Sequence, residues 1–248
     1  MSPLNPPTWE TVARALRRAA GDLFAGRMLG LLFLPMGLAL LVWGLLAWFY
    51  GGAWQSDAMD MLAATPLQPF LQWVSGEWLL PYTAIFLLIL LWLPAVYATA
   101  LLITSLALMP VIIGHIGERD YPLLDLRRGG TVLGSIVNGI FAMSVYLIAW
   151  IVTLPLWLFG PLGLLMSLWL NTWLNQRLFL YDALSEHADA AELRALRREG
   201  GWPLYALSGI LSLLHLVPFV GLLAPVYMGL AFGHYALDRL KTVRGGAA

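Results

Sequence analysis

The chain has 248 residues, 60% of them apolar and 11% charged, with fourteen basic residues against fourteen acidic ones and no cysteine. A soluble domain carries about 25% charged residues, so this composition excludes a soluble single-core domain, and its hydrophobicity excludes a disordered chain. The lack of cysteine excludes a disulfide scaffold and a thiolate metal site, and the even charge balance leaves no basic patch for nucleic acid.

Pro6-Pro7 lead into residues 8–27, where Trp9, Val12, Leu16, Leu23 and Phe24 recur at helical spacing while Arg14, Arg17 and Arg18 fall mainly elsewhere on the wheel. This pattern predicts an amphipathic interfacial helix in the headgroup layer, with its arginines drawn to anionic lipid. The charge-free run Leu29 to Gly52 predicts a first spanning helix over 28–50, since about 20 apolar residues cross the hydrocarbon core. The run Trp78 to Gly114 predicts a long tilted span over 80–110, which Pro94 can kink. Runs of this length are helices, because a barrel strand takes roughly 10 residues and alternates.

The next uncharged run, Thr131 to Gln176, is broken by Leu158-Phe159-Gly160-Pro161-Leu162-Gly163. A Gly-Pro pair is a strong break, so a hairpin is predicted over 131–176 with arms 136–159 and 161–173. Residues 177–200 read as a cytoplasmic loop and helix. Asp189-Ala190-Ala191-Glu192 resembles a capping box, opening a short helix, Ala190–Glu199, that Gly200-Gly201 ends. A second hairpin is predicted over 201–237, with halves Trp202–Val217 and Pro218–Tyr235. These arms lie at or below spanning length, so each hairpin crosses either fully or partly. The fold class is therefore all-α: a single polytopic membrane domain over 1–248 with two long transmembrane helices, two helical hairpins and the amphipathic lead.

Charge gives the orientation. Arg14, Arg17, Arg18 and Arg27 precede the first span, and residues 51–77 hold Asp57, Asp60 and Glu77 without one basic residue. Arg119, Arg127 and Arg128, then Arg177, Arg194, Arg197 and Arg198, then Arg239, Lys241 and Arg244 account for the rest of the fourteen. Cytoplasmic loops carry the excess of Lys and Arg, so both termini and both basic loops are placed in the cytoplasm. No small-x-small cleavage site closely follows the first apolar run, so no removed signal is expected.

Catalytic chemistry finds little support. The histidines are His115, His187, His215 and His234, without an HExxH pattern. His215 and His234 lie on different segments of an apolar run that offers no carboxylate partner, so no metal and no cofactor are expected. Ser135 has no nucleophile signature around it, and the chain is not read as an enzyme. Gly129, Gly130, Gly134 and Gly139 predict close helix packing. An anion can be held by backbone N–H groups at the ends of broken helices, and both hairpins supply such breaks. Asn138, Asn171, Asn175 and Thr153 either line such a path or bond helix to helix.

Four stretches carry a family resemblance: Leu31-Leu32-Phe33-Leu34-Pro35 after the basic lead, Leu108-Met109-Pro110-Val111-Ile112, Arg177-Leu178-Phe179-Leu180-Tyr181-Asp182-Ala183-Leu184, and Leu216 through Pro225. In this order and spacing the chain resembles the CysZ-like sulfate permeases, within the wider etoposide-induced protein domain family. Pro110 through Gly130 is most similar to bacterial members outside the sulfate permeases proper. The resemblance implies two long spanning helices with two partly penetrating hairpins, a homo-oligomer in the bacterial inner membrane, and sulfate uptake. The family's Gly-Leu-Arg stretch before the first-span proline is implicated in anion binding; the corresponding region here, Gly26-Arg27-Met28-Leu29-Gly30, implies Gly26 and Arg27 as anion contacts. The pathway would then involve Pro110, Asn138 and the last hairpin at Pro218, Gly221 and Pro225. Two functions follow as expectations: a transport protein for a small inorganic anion such as sulfate, or a non-transporting scaffold of the same fold that binds lipid or a partner.

Overall fold

A computed structural model describes residues 8–24, 31–65, 78–199, 201–214 and 220–245, together with Pro69, Trp73 and Val217. Among these residues the chain is helical throughout its regular structure. It forms α1 (Trp9–Leu23), α2 (Leu34–Ala63), α3 (Leu79–Ile103), a π-helical turn (Thr104–Leu108), α4 (Met109–Asp120) and α5 (Val132–Thr153). A 3₁₀ turn (Leu154–Phe159), α6 (Pro161–Ser185), α7 (Ala190–Glu199), α8 (Gly201–Leu213) and α9 (Val220–Gly245) complete it. Three helical stretches, Leu34–Ala63, Leu79–Asp120 and Val132–Phe159, are long and apolar enough to cross a membrane. The chain is an all-α polytopic membrane protein.

Several helices outrun the apolar segments that predict them. α2 continues past Tyr50 through Gly51-Gly52 and takes in Asp57 and Asp60. Its 30 residues reach about 45 Å at 1.5 Å per residue, more than the roughly 30 Å core. The edge of the core therefore does not end the helix. Tyr50 and Trp54, with ring centroids 6.3 Å apart, sit where the polar segment begins, as interfacial aromatics do. α6 likewise runs to Ser185, because no Gly or Pro intervenes and Leu178, Phe179, Ala183 and Leu184 bury a continuing apolar face. Gly160, at φ +56°, and Pro161 make the break between α5 and α6.

The chain contacts divide into two units, 37–99 and 1–36 with 100–248. Within 37–99, Trp43 Nε1 donates to Thr99 Oγ1 at 2.9 Å and Trp92 Nε1 donates to the Trp43 carbonyl at 3.3 Å. Most of the outward surface here is apolar: Leu41, Leu45, Phe49, Phe86, Ile89 and Leu93 are exposed, and Trp48 is 84% exposed. Such surface suits lipid, where only the backbone must be internally satisfied.

In the other unit α9 is the central element, buried along most of Ala224–Leu240 and packed by α1, α4 and α6. Gly229 and Gly233 set the α4 approach. A Cβ on Gly229 would lie 2.9 Å from Ile112 Cδ1, and one on Gly233 3.0 Å from Ile113 and Ile116 Cδ1. This is the close small-residue packing that lets helices meet in lipid. α1 does more than lie on a surface: Val12, Ala15 and Ala19 are buried, and Tyr227 Oη donates to the Leu16 carbonyl at 3.0 Å.

Candidate functional site

A cavity of about 460 Å³ opens among the π turn, α4, the 126–131 connection, α5 and the end of α6. Its polar lining includes Ser105, Arg128, Thr131, Ser135, Asp182, Ser185 and Glu186. Backbone hydrogen bonds hold the 128–130 connection against the end of α6 and the residues that follow it. The amides of Arg128, Gly129 and Gly130 donate to the carbonyls of Glu186, Ala188 and Ser185 at 2.9, 2.8 and 2.9 Å. Glycine is needed for that approach, since a Cβ on Gly130 would stand 2.5 Å from Ser185 Cβ and 2.7 Å from its Cα. Arg128 is pinned there at φ +48°, in the left-handed region that costs a residue other than glycine about 1 kcal/mol or more. The strain sits at the rim of the cavity.

Thr131 then caps α5, its Oγ1 accepting from the Gly134 amide at 2.9 Å. The first-turn amides of a helix have no intrahelical carbonyl, and the dipole adds about half a positive charge. Arg128 and the start of α5 thus bring positive potential to one side of the cavity.

Asp182 lines the same cavity and is 6% exposed. Its Oδ2 accepts from Ser105 Oγ on the π turn. The Ser135 hydroxyl stands beside the carboxylate as a second donor, while Oδ1 is buried without a well-formed hydrogen bond among the described residues. A buried carboxylate oxygen without a donor is costly. π turns arise where a helix carries an extra residue and are frequent at functional sites; here the turn turns Ser105 toward α6.

Of the residues expected on the pathway, Pro110 lines this cavity. Asn138 does not line it; its Nδ2 donates to the Arg177 carbonyl at 2.8 Å, tying α5 to α6. Gly221 and Pro225 lie in the first turns of α9. Gly26, Arg27 and Pro218 lie outside the described residues. The glycines expected to allow close packing do so at all four positions: a Cβ would lie 2.3 Å from Asp189 C at Gly129, 2.5 Å from Ser185 Cβ at Gly130, 2.1 Å from Tyr181 Oη at Gly134 and 2.7 Å from Leu102 Cδ1 at Gly139.

The expectation that His234 has no carboxylate nearby is corrected. Asp22 from α1 and Asp120 from α4 both reach it across the fold. His234 is 1% exposed, with Nε2 2.7 Å from Asp22 Oδ2 and Nδ1 3.9 Å from Asp120 Oδ2. The apolar run around His234 hides these partners, because both come from polar segments distant in sequence. The three side chains could converge on a metal ion. Arg119 already takes a cation's place, with Nη2 2.7 Å from Asp22 Oδ1 and 2.7 Å from Asp120 Oδ2. The cluster locks α1, α4 and α9 together.

A second lock closes the polar end. Arg244 of α9 donates to Glu192 Oε1 and Oε2 at 2.9 Å each and to the carbonyls of His187 and Asp125 at 2.6 and 3.0 Å. The Asp189 capping box is formed as the sequence predicts: its Oδ1 accepts from the Glu192 amide at 2.8 Å and its own amide donates to Glu192 Oε2 at 2.8 Å. Arg244 holds the Glu192 carboxyl below the usual range, and the Glu192 amide does so for Asp189.

No curated protein and no solved structure matches the chain. The sequence model of the family Sulfate transporter CysZ/Etoposide-induced protein 2.4 matches residues 15–225, most of the chain, including every element that lines the cavity. The chain belongs to the Sulfate transporter CysZ/Etoposide-induced protein 2.4 family.

Proposed function

We propose that this protein moves a small inorganic oxyanion across the bacterial inner membrane in the manner of a sulfate permease, with both termini cytoplasmic, as a homo-oligomer. The observation that carries the reading is the cavity, where Arg128, Thr131 and the first turn of α5 supply anion-binding chemistry inside a membrane-spanning family fold. Broken helices offering their N-termini to an anion are a recurrent transporter device. The confinement of every basic residue to four segments, with none over residues 51–77, supports the orientation. Arg27 and Gly26 serve as the entrance contact, and the hairpin at Pro218, Gly221 and Pro225 forms part of the path.

Uptake of radiolabelled sulfate and phosphate into proteoliposomes tests it. Saturable uptake above empty vesicles is expected. It should drop at least tenfold in Arg128→Asn, which removes the guanidinium while asparagine tolerates the left-handed backbone. Arg27→Ala should lower it as well. Folded, inserted protein that moves neither anion would overturn the transport reading in favour of a scaffold that binds lipid or a partner.

A further inference from the structure

Asp182 is an odd group to find in a pocket for a fully charged anion. It is 6% exposed, one oxygen is taken by Ser105, and the other, beside the Ser135 hydroxyl, is buried without a well-formed hydrogen bond among the described residues. Glu186 adds a second carboxylate to the same lining. The same lining holds Arg128 and the α5 N-terminus, which bring donors. The cavity lining therefore combines donors with a buried carboxylate that can take one more donor.

An ionised carboxylate can accept a hydrogen bond and cannot donate one. Sulfate and selenate carry no proton near neutral pH, so all four of their oxygens are acceptors. One of them beside Asp182 Oδ1 would set acceptor against acceptor, leave the buried oxygen unmatched and add charge repulsion. Phosphate and arsenate retain a proton on at least one oxygen in that range. Such an ion gives its remaining oxygens to Arg128 and the α5 amides and its hydroxyl to Asp182. We infer that Asp182 is a specificity-determining residue that selects tetrahedral oxyanions carrying a proton, phosphate being the representative, over fully deprotonated ones such as sulfate. The inference rests on the transport reading and narrows its substrate class.

Sites built around a hydrogen bond to a ligand hydroxyl reject analogues lacking it strongly, by roughly 10⁴-fold or more in the best-matched cases. With one such contact in a cavity of about 460 Å³, a preference of at least about tenfold is expected.

The test measures initial uptake of labelled phosphate by the wild-type protein in vesicles at neutral pH, with unlabelled arsenate, sulfate and selenate as competitors, beside direct sulfate uptake. Phosphate should be taken up at least tenfold faster than sulfate at equal concentration. Arsenate should compete, and selenate should not. Asp182→Asn exchanges the acceptor for an amide donor at the same volume; it should lose phosphate uptake and gain or keep sulfate uptake. Sulfate moved as fast as phosphate or faster by the wild type overturns the inference and leaves the transport reading standing. No uptake of either ion overturns both. Because the wild-type panel decides alone, a poorly folding variant does not obscure the result.

Discussion

Gly130→Ala offers a quantitative test of how the cavity rim is built. The added Cβ would meet Ser185 Cβ at 2.5 Å and Ser185 Cα at 2.7 Å. A helix backbone atom is among these neighbours, so rotating a side chain cannot relieve the clash. The 128–130 segment must move away from the end of α6, and three backbone hydrogen bonds of 2.8–2.9 Å lengthen or break. At about 1 kcal/mol net each, the loss is about 3 kcal/mol, similar to the upper range for overpacking a tight site. For a protein of this size that corresponds to roughly 6–12 °C in Tm. Gly21→Ala is the matched control. Gly21 sits in α1 with nothing within 4 Å of its would-be Cβ, so alanine should leave Tm unchanged or raise it through helix propensity. Thermal unfolding in detergent, followed by tryptophan fluorescence, reads both. A Gly130→Ala protein melting within about 2 °C of wild type would refute the close approach of the two segments.

Acid should weaken the polar end first. Arg244 lowers the Glu192 carboxyl, and backbone donation lowers Asp189. Both groups therefore stabilise the fold above their ordinary unfolded range, and that contribution is lost as pH falls through it toward the lowered folded values. Tm should decline between about pH 5 and 3, and Glu192→Gln should lower Tm at neutral pH while flattening that decline; an unchanged acid limb would contradict the lock. Hairpin depth is open to labelling, since the chain has no cysteine. Leu158 and Phe159 are exposed at the turn. If α5 and its 3₁₀ turn cross completely, Leu158→Cys reacts with an impermeant thiol reagent from the side opposite the termini; reaction from neither side indicates a turn held within the bilayer.

Local chemistry made part of this architecture readable in the sequence. Gly160-Pro161 ends one helix and starts another for reasons contained in those two residues, and Asp189 with Glu192 caps α7 within one turn. The helix ends at Ala63, Ser185 and Gly245 were harder to foresee, because apolar runs mark the bilayer core and not the reach of the backbone. The site itself was less legible. Nothing in Thr104–Leu108 announces a π turn, and Asp182 sits in a stretch that reads as a polar loop. Its burial depends on Ser105, Ser135 and the glycine-paired rim, which converge from three segments. His234 has the same history: Asp22 and Asp120 reach it only through the packing of α1 and α4 on α9. Charge-poor stretches gave the spans, while pairings between distant polar residues gave the sites.

The cavity's role as the oxyanion path can be tested most directly at Ser135, a half-buried lining residue. Ser135→Cys changes one atom and places a single thiol in a chain that has no other. Its modification rate by a small thiol reagent should be measured with and without saturating phosphate or sulfate, together with flux after labelling. The transported oxyanion should slow modification at least several-fold, and modification should abolish uptake. Equal modification rates with and without either anion, and undiminished flux through the labelled protein, would contradict it.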